Sequence, residues 1–314
     1  MIKLQKTLTR EIPLPMINSF LKDYFNIGKI LNLKMPPTFS LFDQGTWISY
    51  RDNHALHLII PQKLSKWTGK EKNKKQLHNL CKLTAEIVGS YLRIQKFLSE
   101  NKQISLGKLL DYSTKIQALF IRGFPGLFIA TWLPLWQDDF HKNKNIYLFN
   151  KKLANDIKTL RRGPIDKFFN LAMDLAFLAL KMIAQNKNWS LSLIKYLTGQ
   201  ELLKFISKKN LSPEILRILN KRKNEKFGYS NKIIYKENLK KELKKLNLEL
   251  EEEKIGAVKE IMGTTANIGK TKGITKIIFS REQLNKIKEG DILVAPMTTP
   301  WYLPALKKSV CHNH

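Results

Sequence analysis

The chain has 314 residues, 43% of them apolar and 10% aromatic, which is enough material for two domains with cores of their own and excludes disorder over the whole length. Its formal net charge is +29, from 55 basic and 26 acidic residues, and nine of the basic residues are Arg. Arg is the residue that reads bases through bidentate hydrogen bonds, so this excess of Lys argues against a sequence-specific nucleic-acid reader. An A/T-rich coding sequence explains it more simply, although non-specific polyanion binding is expected at low salt.

The cysteine spacing and the apolar stretches indicate in which cellular compartment the protein is expected. Cys81 and Cys311 lie far apart without metal-type spacing, so neither a disulfide framework nor a zinc site is predicted. Residues 1–6 lack the apolar core of a signal peptide. The stretches 116–136 and 168–183 contain charges or helix breakers, which favours buried helices over membrane spans. We therefore expect a cytoplasmic protein without a transmembrane segment.

The predicted elements begin with an extended piece and a helix over residues 16–24. A β-hairpin is predicted near residues 46–60, because alternating runs at 46–50 and 55–60 flank turn-forming residues. From residue 75 to 230 the apolar residues recur mainly at helical spacing, and this predicts a helical bundle.

The chain changes character towards its end. Residues 228–230 predict a turn, and the run 236–254, made almost wholly of Lys, Glu, Leu and Asn, predicts a charged linker or solvated helix. Beyond it, glycines and alternating β-branched residues indicate a second domain. The prediction is an α+β chain with a boundary near residue 252, dividing a mainly helical domain 1–252 from a domain 253–314.

The first motif of the second domain is G-x-x-A-x-x-G-x-x-x-G, formed by Gly263, Ala266, Gly269 and Gly273. Its glycines indicate tight turns or close backbone approach before a strand. A phosphate-binding Walker loop is the alternative, since Lys270 follows Gly269. That loop allows four residues between its glycines and leads into a helix, whereas here five residues intervene and a strand is predicted.

The second motif is a Gly290-Asp291 turn that leads into the apolar run 292–295 and then Thr298-Thr299-Pro300. Strand ends are common places for functional sites in mixed α/β folds. A simple turn cap accounts for threonines before a proline equally well.

In this order and separation, the two motifs resemble the mobile domain of PEP-utilising enzymes, the group that includes phosphoenolpyruvate synthase, pyruvate phosphate dikinase and rifampicin phosphotransferase. The resemblance covers residues 255–310. Residues 196–202 and 221–223 are loosely similar to the helical stretch that precedes this domain in stand-alone bacterial members. The resemblance of the two motifs implies a partial β/β/α domain. In the family, this domain swivels between a nucleotide-binding domain and a PEP/pyruvate barrel and carries a phosphoryl group on one histidine.

The resemblance also implies what this chain lacks. The family's histidine lies in a T-D-x-G-G-x-x-x-H stretch after the T-T-P element, and the sequence contains no such stretch. His312 and His314 come too early and lack the glycine pair. No catalytic residue, metal ligand or bound cofactor is therefore predicted. The family implies ATP or PEP and Mg²⁺ on partner domains, here separate nucleotide-binding and PEP/pyruvate domains.

The codons of the last four residues suggest why the histidine stretch is missing. Read one nucleotide later, codons for Cys-His-Asn-His at 311–314 can spell Ala-Ile-Ile-Thr or Val-Ile-Ile-Thr, which is similar to the family's next strand. Our hypothesis is that a frameshift, in the gene or its sequencing, ended the chain early. The downstream DNA, read in the shifted frame for D-x-G-G and a histidine, tests it.

Two functions from different classes follow from these features. The first is a fragment of a PEP-utilising phosphotransfer protein, inactive alone. The alternative is a non-enzymatic protein whose basic helical part binds RNA, a membrane surface or a protein partner. A third idea, recognition of a small substrate by the bundle, rests on Asp138-Asp139 beside His141, and a polar loop explains that cluster better.

Overall fold

A computed structural model describes residues 1–10, 12–43, 46–101, 103–144, 148–230, 232–251, 270–278, 281–295 and 302–309. By its contacts the chain divides into two compact units. The helical unit comprises Pro13–Pro37 and Asn53–Lys223, and the sheet unit comprises Met1–Ile12, Thr38–Asp52 and Asn224–His314. The α+β class with a large helical part is confirmed. The predicted boundary near residue 252 lies outside the described residues and stays a prediction.

Nine α-helices build the described part of the helical unit, the last of them ending one residue past its boundary. They are α1 Leu14–Leu31, α2 Ile60–Trp67, α3 Glu71–Glu100, α4 Leu106–Lys144, α5 Lys151–Leu160, α6 Asp166–Lys187, α7 Leu191–Ile194, α8 Gly199–Phe205 and α9 Pro213–Asn224. Wider π-helical turns precede α2, at Ala55–Ile59, and α6, at Arg161–Ile165. The bundle predicted over 75–230 therefore begins earlier in the chain, at α1. The last residues of the predicted range, 227–230, form a strand and not a helix.

The second strand of the predicted hairpin is wrong, because residues 55–60 are helical. Leu56, Ile60 and Leu64 recur every fourth residue and are almost completely buried, whereas Ile59 is 38% exposed. This is the burial pattern of one helix face. The short run resembled an alternating strand because Leu56 and Ile60 are buried, while Leu58 and Ile59 are apolar although they are half-buried and exposed, respectively.

Helices α3 and α4 cross closely at two glycines of α4. The Thr84 hydroxyl lies 2.6 Å from the Gly123 carbonyl oxygen, and the Cys81 sulfur lies 3.6 Å from that of Gly126. A Cβ atom on Gly126 would stand 2.2 Å from the Leu80 carbonyl oxygen. The crossing therefore requires a residue without a side chain at this position.

Two helical stretches of the described chain are long and apolar enough to cross a membrane, Leu106–Lys142 and Lys151–Lys187. In their most apolar windows 56% and 50% of the residues are buried within the protein, and core helices of soluble proteins pass the same test. Each stretch also carries an exposed charge, Arg122 and Lys181 respectively. The absence of a transmembrane segment stays a prediction.

The sheet unit contains a six-stranded sheet with the strand order β5-β4-β2-β3-β1-β6. Its elements are β1 Ile2–Arg10, β2 Thr38–Asp43, β3 Thr46–Arg51, β4 Phe227–Ser230, β5 Lys232–Tyr235, α10 Lys236–Lys245 and β6 Leu248–Leu250. The strands pair antiparallel except β1 and β6, which pair in parallel with Ile2 opposite Leu248. One face packs with α10 around a core of Leu4, Phe39, Leu41, Tyr50, Ile234, Leu243 and Leu248.

This sheet corrects two predictions and agrees with part of a third. The hairpin partner of Thr46–Arg51 is β2, which comes before it in the chain. Residues 228–230 are a strand rather than a turn, and Gly228 is required because a Cβ there would lie 2.5 Å from the Phe39 ring. In its described part, the run 236–254, predicted as a charged linker or solvated helix, contains helix α10 and the short strand β6.

Candidate functional site

The predicted family-motif residues fall in a small module, here called the β7–β8 module, whose described residues are 270–278, 281–295 and 302–309. Strands β7 Thr275–Ile277 and β8 Ile292–Val294 pair in parallel, with Lys276 opposite Leu293. The pairing extends by one hydrogen bond at each end, from the Ile292 amide to Ile274 and from the Ile278 amide to Val294. Parallel pairing brings the carboxyl ends of both strands to the same edge.

A small apolar core supports one side of this strand pair. Ile278 and Leu293 pack with residues of the connecting 3₁₀ turn and of the terminal helix α11 Leu303–Leu306. The core consists of Ile278, Ile287, Leu293, Tyr302, Ala305 and Leu306. The opposite side is open, since Ile277 is 58% and Val294 44% exposed.

Two glycines of the motifs meet in this module. A Cβ atom on Gly273 would lie 2.3 Å from the Gly290 carbonyl oxygen, so the backbone of one motif passes directly against that of the other. Gly290 itself has φ +86°, a left-handed conformation that side chains disfavour. Both positions therefore need glycine for reasons of backbone geometry.

Asp291 closes the turn that begins β8. Its buried carboxylate accepts a hydrogen bond of 2.9 Å from the Lys288 amide, and the Gly290 amide donates to the Lys308 carbonyl oxygen at 3.0 Å. The second bond ties the end of the described chain to the turn. With its carboxylate held in this way, Asp291 serves the architecture of the module.

The structure thus brings together Gly273, Gly290 and Asp291. The other predicted family-motif positions, Gly263, Ala266, Gly269, Thr298, Thr299 and Pro300, lie outside the described residues. Among the described residues no group of three or more His, Cys, Asp or Glu could hold a metal ion.

A second constellation lies in the helical unit, where the looser similarity at 196–202 and 221–223 falls. Thr198 and Glu201 form a reciprocal capping box at the start of α8. Both carboxylate oxygens of Glu201 accept hydrogen bonds from the Arg222 guanidinium, at 2.6 and 2.7 Å, and Arg222 also donates to the Tyr196 carbonyl oxygen. Sequence reasoning found both segments but not their contact, because a salt bridge across 21 residues has no local signal.

The ionisation of Glu201 follows from these contacts. Partial burial alone would raise the pKa of its carboxyl group, but hydrogen bonds from Arg222 and the Thr198 amide, together with the Arg222 charge, lower that pKa below its ordinary value. The carboxylate is therefore ionised at neutral pH and matched to a cation that is itself buried. This is a structural ion pair joining α8 to α9.

Other candidate groups are occupied or inert. Asp138 forms an ion pair of 3.1 Å with Lys158 on the bundle surface. Burial raises the pKa of the Cys81 thiol to about 12, which leaves it protonated and unreactive. An open groove of about 350 Å³ in the helical unit has no charged lining; its residues are Gln103, Ile104, Ser105, Leu109, Met182, Gln185 and Asn186.

Comparison with known proteins reveals a relationship over a minor part of the chain. A probable phosphoenolpyruvate synthase of Archaeoglobus fulgidus is 41% identical over 71 residues, which are 23% of this chain and 9% of that protein. Part of this chain is related to phosphoenolpyruvate synthases. A second probable phosphoenolpyruvate synthase, of Methanocaldococcus jannaschii, is 47% identical over 58 residues, which are 18% of this chain and 5% of that protein. The aligned stretches thus span less than a tenth of these synthases.

No protein-family model matches the chain, and no solved structure matches it. The relationship to phosphoenolpyruvate synthases therefore rests on sequence identity. It relates a minor part of the chain to phosphoenolpyruvate synthases, in agreement with the resemblance seen in its two motifs.

Proposed function

We propose that residues 255–310 form part of a phosphohistidine mobile domain and that the chain takes part in PEP-linked phosphoryl transfer. The observation that carries this proposal is the 41% identity to the Archaeoglobus fulgidus protein over 71 residues. The close approach of Gly273 to Gly290 supports the proposal, because it explains why both motifs require a glycine. Glycines at these positions allow one motif to lie directly against the other.

In the proposed function, the residues of this chain provide the scaffold of a phosphoryl carrier. Gly273, Gly290 and Asp291 fix the parallel strand pair, and the T-T-P element follows β8 in sequence. Residues 255–310 contain no histidine, so in a chimera with a synthase the synthase's own histidine would supply the nucleophilic ring nitrogen for the phosphoryl group. ATP or PEP and Mg²⁺ would be bound by partner domains, with which the scaffold docks in turn.

A segment exchange tests this proposal. In the Methanocaldococcus jannaschii synthase, the segment aligned with residues 255–310 is replaced by those residues, and the synthase keeps its own remaining sequence. We expect the chimera to acquire an acid-labile phosphoryl group from radiolabelled phosphoenolpyruvate, as the unmodified synthase does. A chimera that folds normally, as judged by circular dichroism, but takes no label would contradict the proposal.

Two variants of the chimera sharpen the result. Gly273→Val places a side chain against the Gly290 carbonyl oxygen and should abolish labelling. Lys272→Ala, at the exposed neighbouring residue, should leave labelling unchanged. Equal labelling of both variants would show that the glycine contact plays no part in the carrier.

A further inference from the structure

Two partly exposed aromatic rings of the helical unit are surrounded by lysines. Trp189 follows α6, and its indole Nε1 donates a hydrogen bond of 3.1 Å to the Lys209 carbonyl oxygen. This bond joins the end of α6 to the loop after α8. The Lys187 ammonium group lies 5.7 Å from the centre of the Trp189 ring. The ring is thereby held at the surface with a cation over it.

The second ring belongs to Phe205 at the end of α8. The ammonium groups of Lys204 and Lys208 lie 5.8 and 5.5 Å from its centre. Lys204, Lys208 and Lys209 are all exposed. We call Trp189, Phe205, Lys187, Lys204, Lys208 and Lys209 the lysine–aromatic surface.

The charge of this surface is only partly compensated locally. The segments 184–200 and 202–213, which carry it, contain no Asp or Glu, and Glu214 of α9, which follows directly, balances at most one of the four lysine charges. Glu201, between them, is already bonded to Arg222 through both oxygens. In the described part of the chain, none of the four lysines forms an ion pair with a carboxylate. The surface therefore complements an anionic partner.

Exposed leucines occur on α8, which carries Lys204 and Phe205 of this surface, and on α9, which follows the surface in sequence. Leu203 of α8 is 58% exposed, because Leu202 and Ile206 form the buried side of that helix. Leu216 of α9 is 37% exposed, and the buried side of that helix is formed by Leu219 and Arg222. Aliphatic side chains combined with aromatic rings and lysines are the composition of protein surfaces that bind at the membrane interface.

We propose that the lysine–aromatic surface docks the protein on an anionic phospholipid bilayer. Lysines contact the lipid phosphates, the two rings lie at headgroup depth, and the exposed leucines reach the acyl boundary. RNA fits the surface less well, because both rings already lie under ammonium groups and the leucines would gain nothing from stacked bases. Lipid phosphates require only point charges, which lysine supplies.

Vesicle flotation of the full chain tests this proposal. Phosphatidylcholine vesicles containing about one third phosphatidylglycerol should bind the protein, whereas vesicles of phosphatidylcholine alone should not. The variant Lys204→Gln/Lys208→Gln/Lys209→Gln should lower the partition coefficient roughly 100-fold. Leu203→Ser/Leu216→Ser should lower it about tenfold without any change in charge.

A matched control separates a local surface from the general field of the protein. Lys240→Gln/Lys241→Gln/Lys244→Gln removes the same charge from exposed lysines of α10 and should lower binding less than about tenfold. Equal losses in the two triple variants would overturn the proposal. So would unchanged binding of the leucine variant, which retains its fold because both leucines are exposed.

Binding of a labelled oligouridylate to the same protein variants, measured by fluorescence anisotropy, tests whether the surface is an RNA site instead. We expect the leucine variant to bind the oligonucleotide as the unmodified chain does. If the lysine triple variant loses oligouridylate binding but keeps vesicle binding, the surface is an RNA site and the lipid proposal is wrong. Circular dichroism confirms that each variant is folded before it is compared.

Discussion

The helical unit and the β7–β8 module obtain their structures in different ways. The helices are long, and their burial requires only apolar residues at helical spacing, which many sequences can supply. The strands of the module have three residues each and depend on two glycines whose backbones meet. A family motif is therefore visible in the module, because backbone geometry there allows few residue types, while most of the helical unit shows none.

The Gly126 position is the strongest test of this contrast, because it is a place in the helical unit where geometry also requires glycine. Gly126→Val would push a side chain into the Leu80 carbonyl oxygen and the Thr84 hydroxyl. We expect a loss of about 3 kcal/mol or more in the free energy of unfolding, measured by urea denaturation. Gly107→Ala, where a Cβ meets nothing within 4 Å, should instead gain about 0.5 kcal/mol. Equal stabilities would mean that α3 and α4 do not cross here.

The Glu201–Arg222 pair gives the next largest effect. Arg222→Met leaves a partly buried carboxylate without its cation and should cost about 3 kcal/mol in the free energy of unfolding. Since the folded-state pKa of Glu201 is lowered, the ionised carboxylate stabilises the fold above its ordinary pKa. That contribution should decrease as the pH falls through the ordinary glutamate pKa and should be lost once the pH is below the lowered pKa of the folded state.

Urea denaturation from neutral to acid pH checks this pair. Glu201→Gln is the matched variant, because it keeps the shape and cannot titrate. The difference in stability between the unmodified chain and Glu201→Gln should shrink as the pH falls. A difference that is the same at all pH values would rule out the ion pair as its source.

The smallest expected effect is local to the β7–β8 module. Gly273→Ala brings a methyl group against the Gly290 carbonyl oxygen and should destabilise the strand pair by about 2 kcal/mol. Hydrogen exchange of the Ile278 and Ile292 amides, whose bonds extend the ladder, should accelerate accordingly. Gly290→Ala should cost about 1 kcal/mol through its positive φ alone. Unaltered exchange in Gly273→Ala would refute the close approach.

Sequence patterns predicted the α+β class, the helical bundle and a strand over residues 46–50, all of which depend on local spacing. They missed β2, because its central residues are buried on both faces and show no alternation. They also missed β4, because Gly228 indicates a turn unless the distant Phe39 ring is known to lie against it. Pairing between residues nearly 190 positions apart leaves no local pattern.

The site shows the same limit. Gly273, Gly290 and Asp291 were predicted from their motifs, and the structure adds the contact between the glycines and the turn that Asp291 closes. The bond network of Glu201 and Arg222 could not be predicted, since each residue has an ordinary role in its own helix. Sequence spacing therefore does not predict which distant residues come into contact, because those contacts are determined by packing in the folded chain.

The order of synthesis determines when the parallel strands β1 and β6 can pair. Ile2 leaves the ribosome early, but its partner Leu248 is made only after the whole helical unit. At a translation rate of about 5–20 residues per second, β1 waits roughly 10–50 s for that neighbour. The helical unit can complete its local contacts in that interval, so β6 pairs with β1 after the intervening helices have folded and does not have to close an unfolded loop.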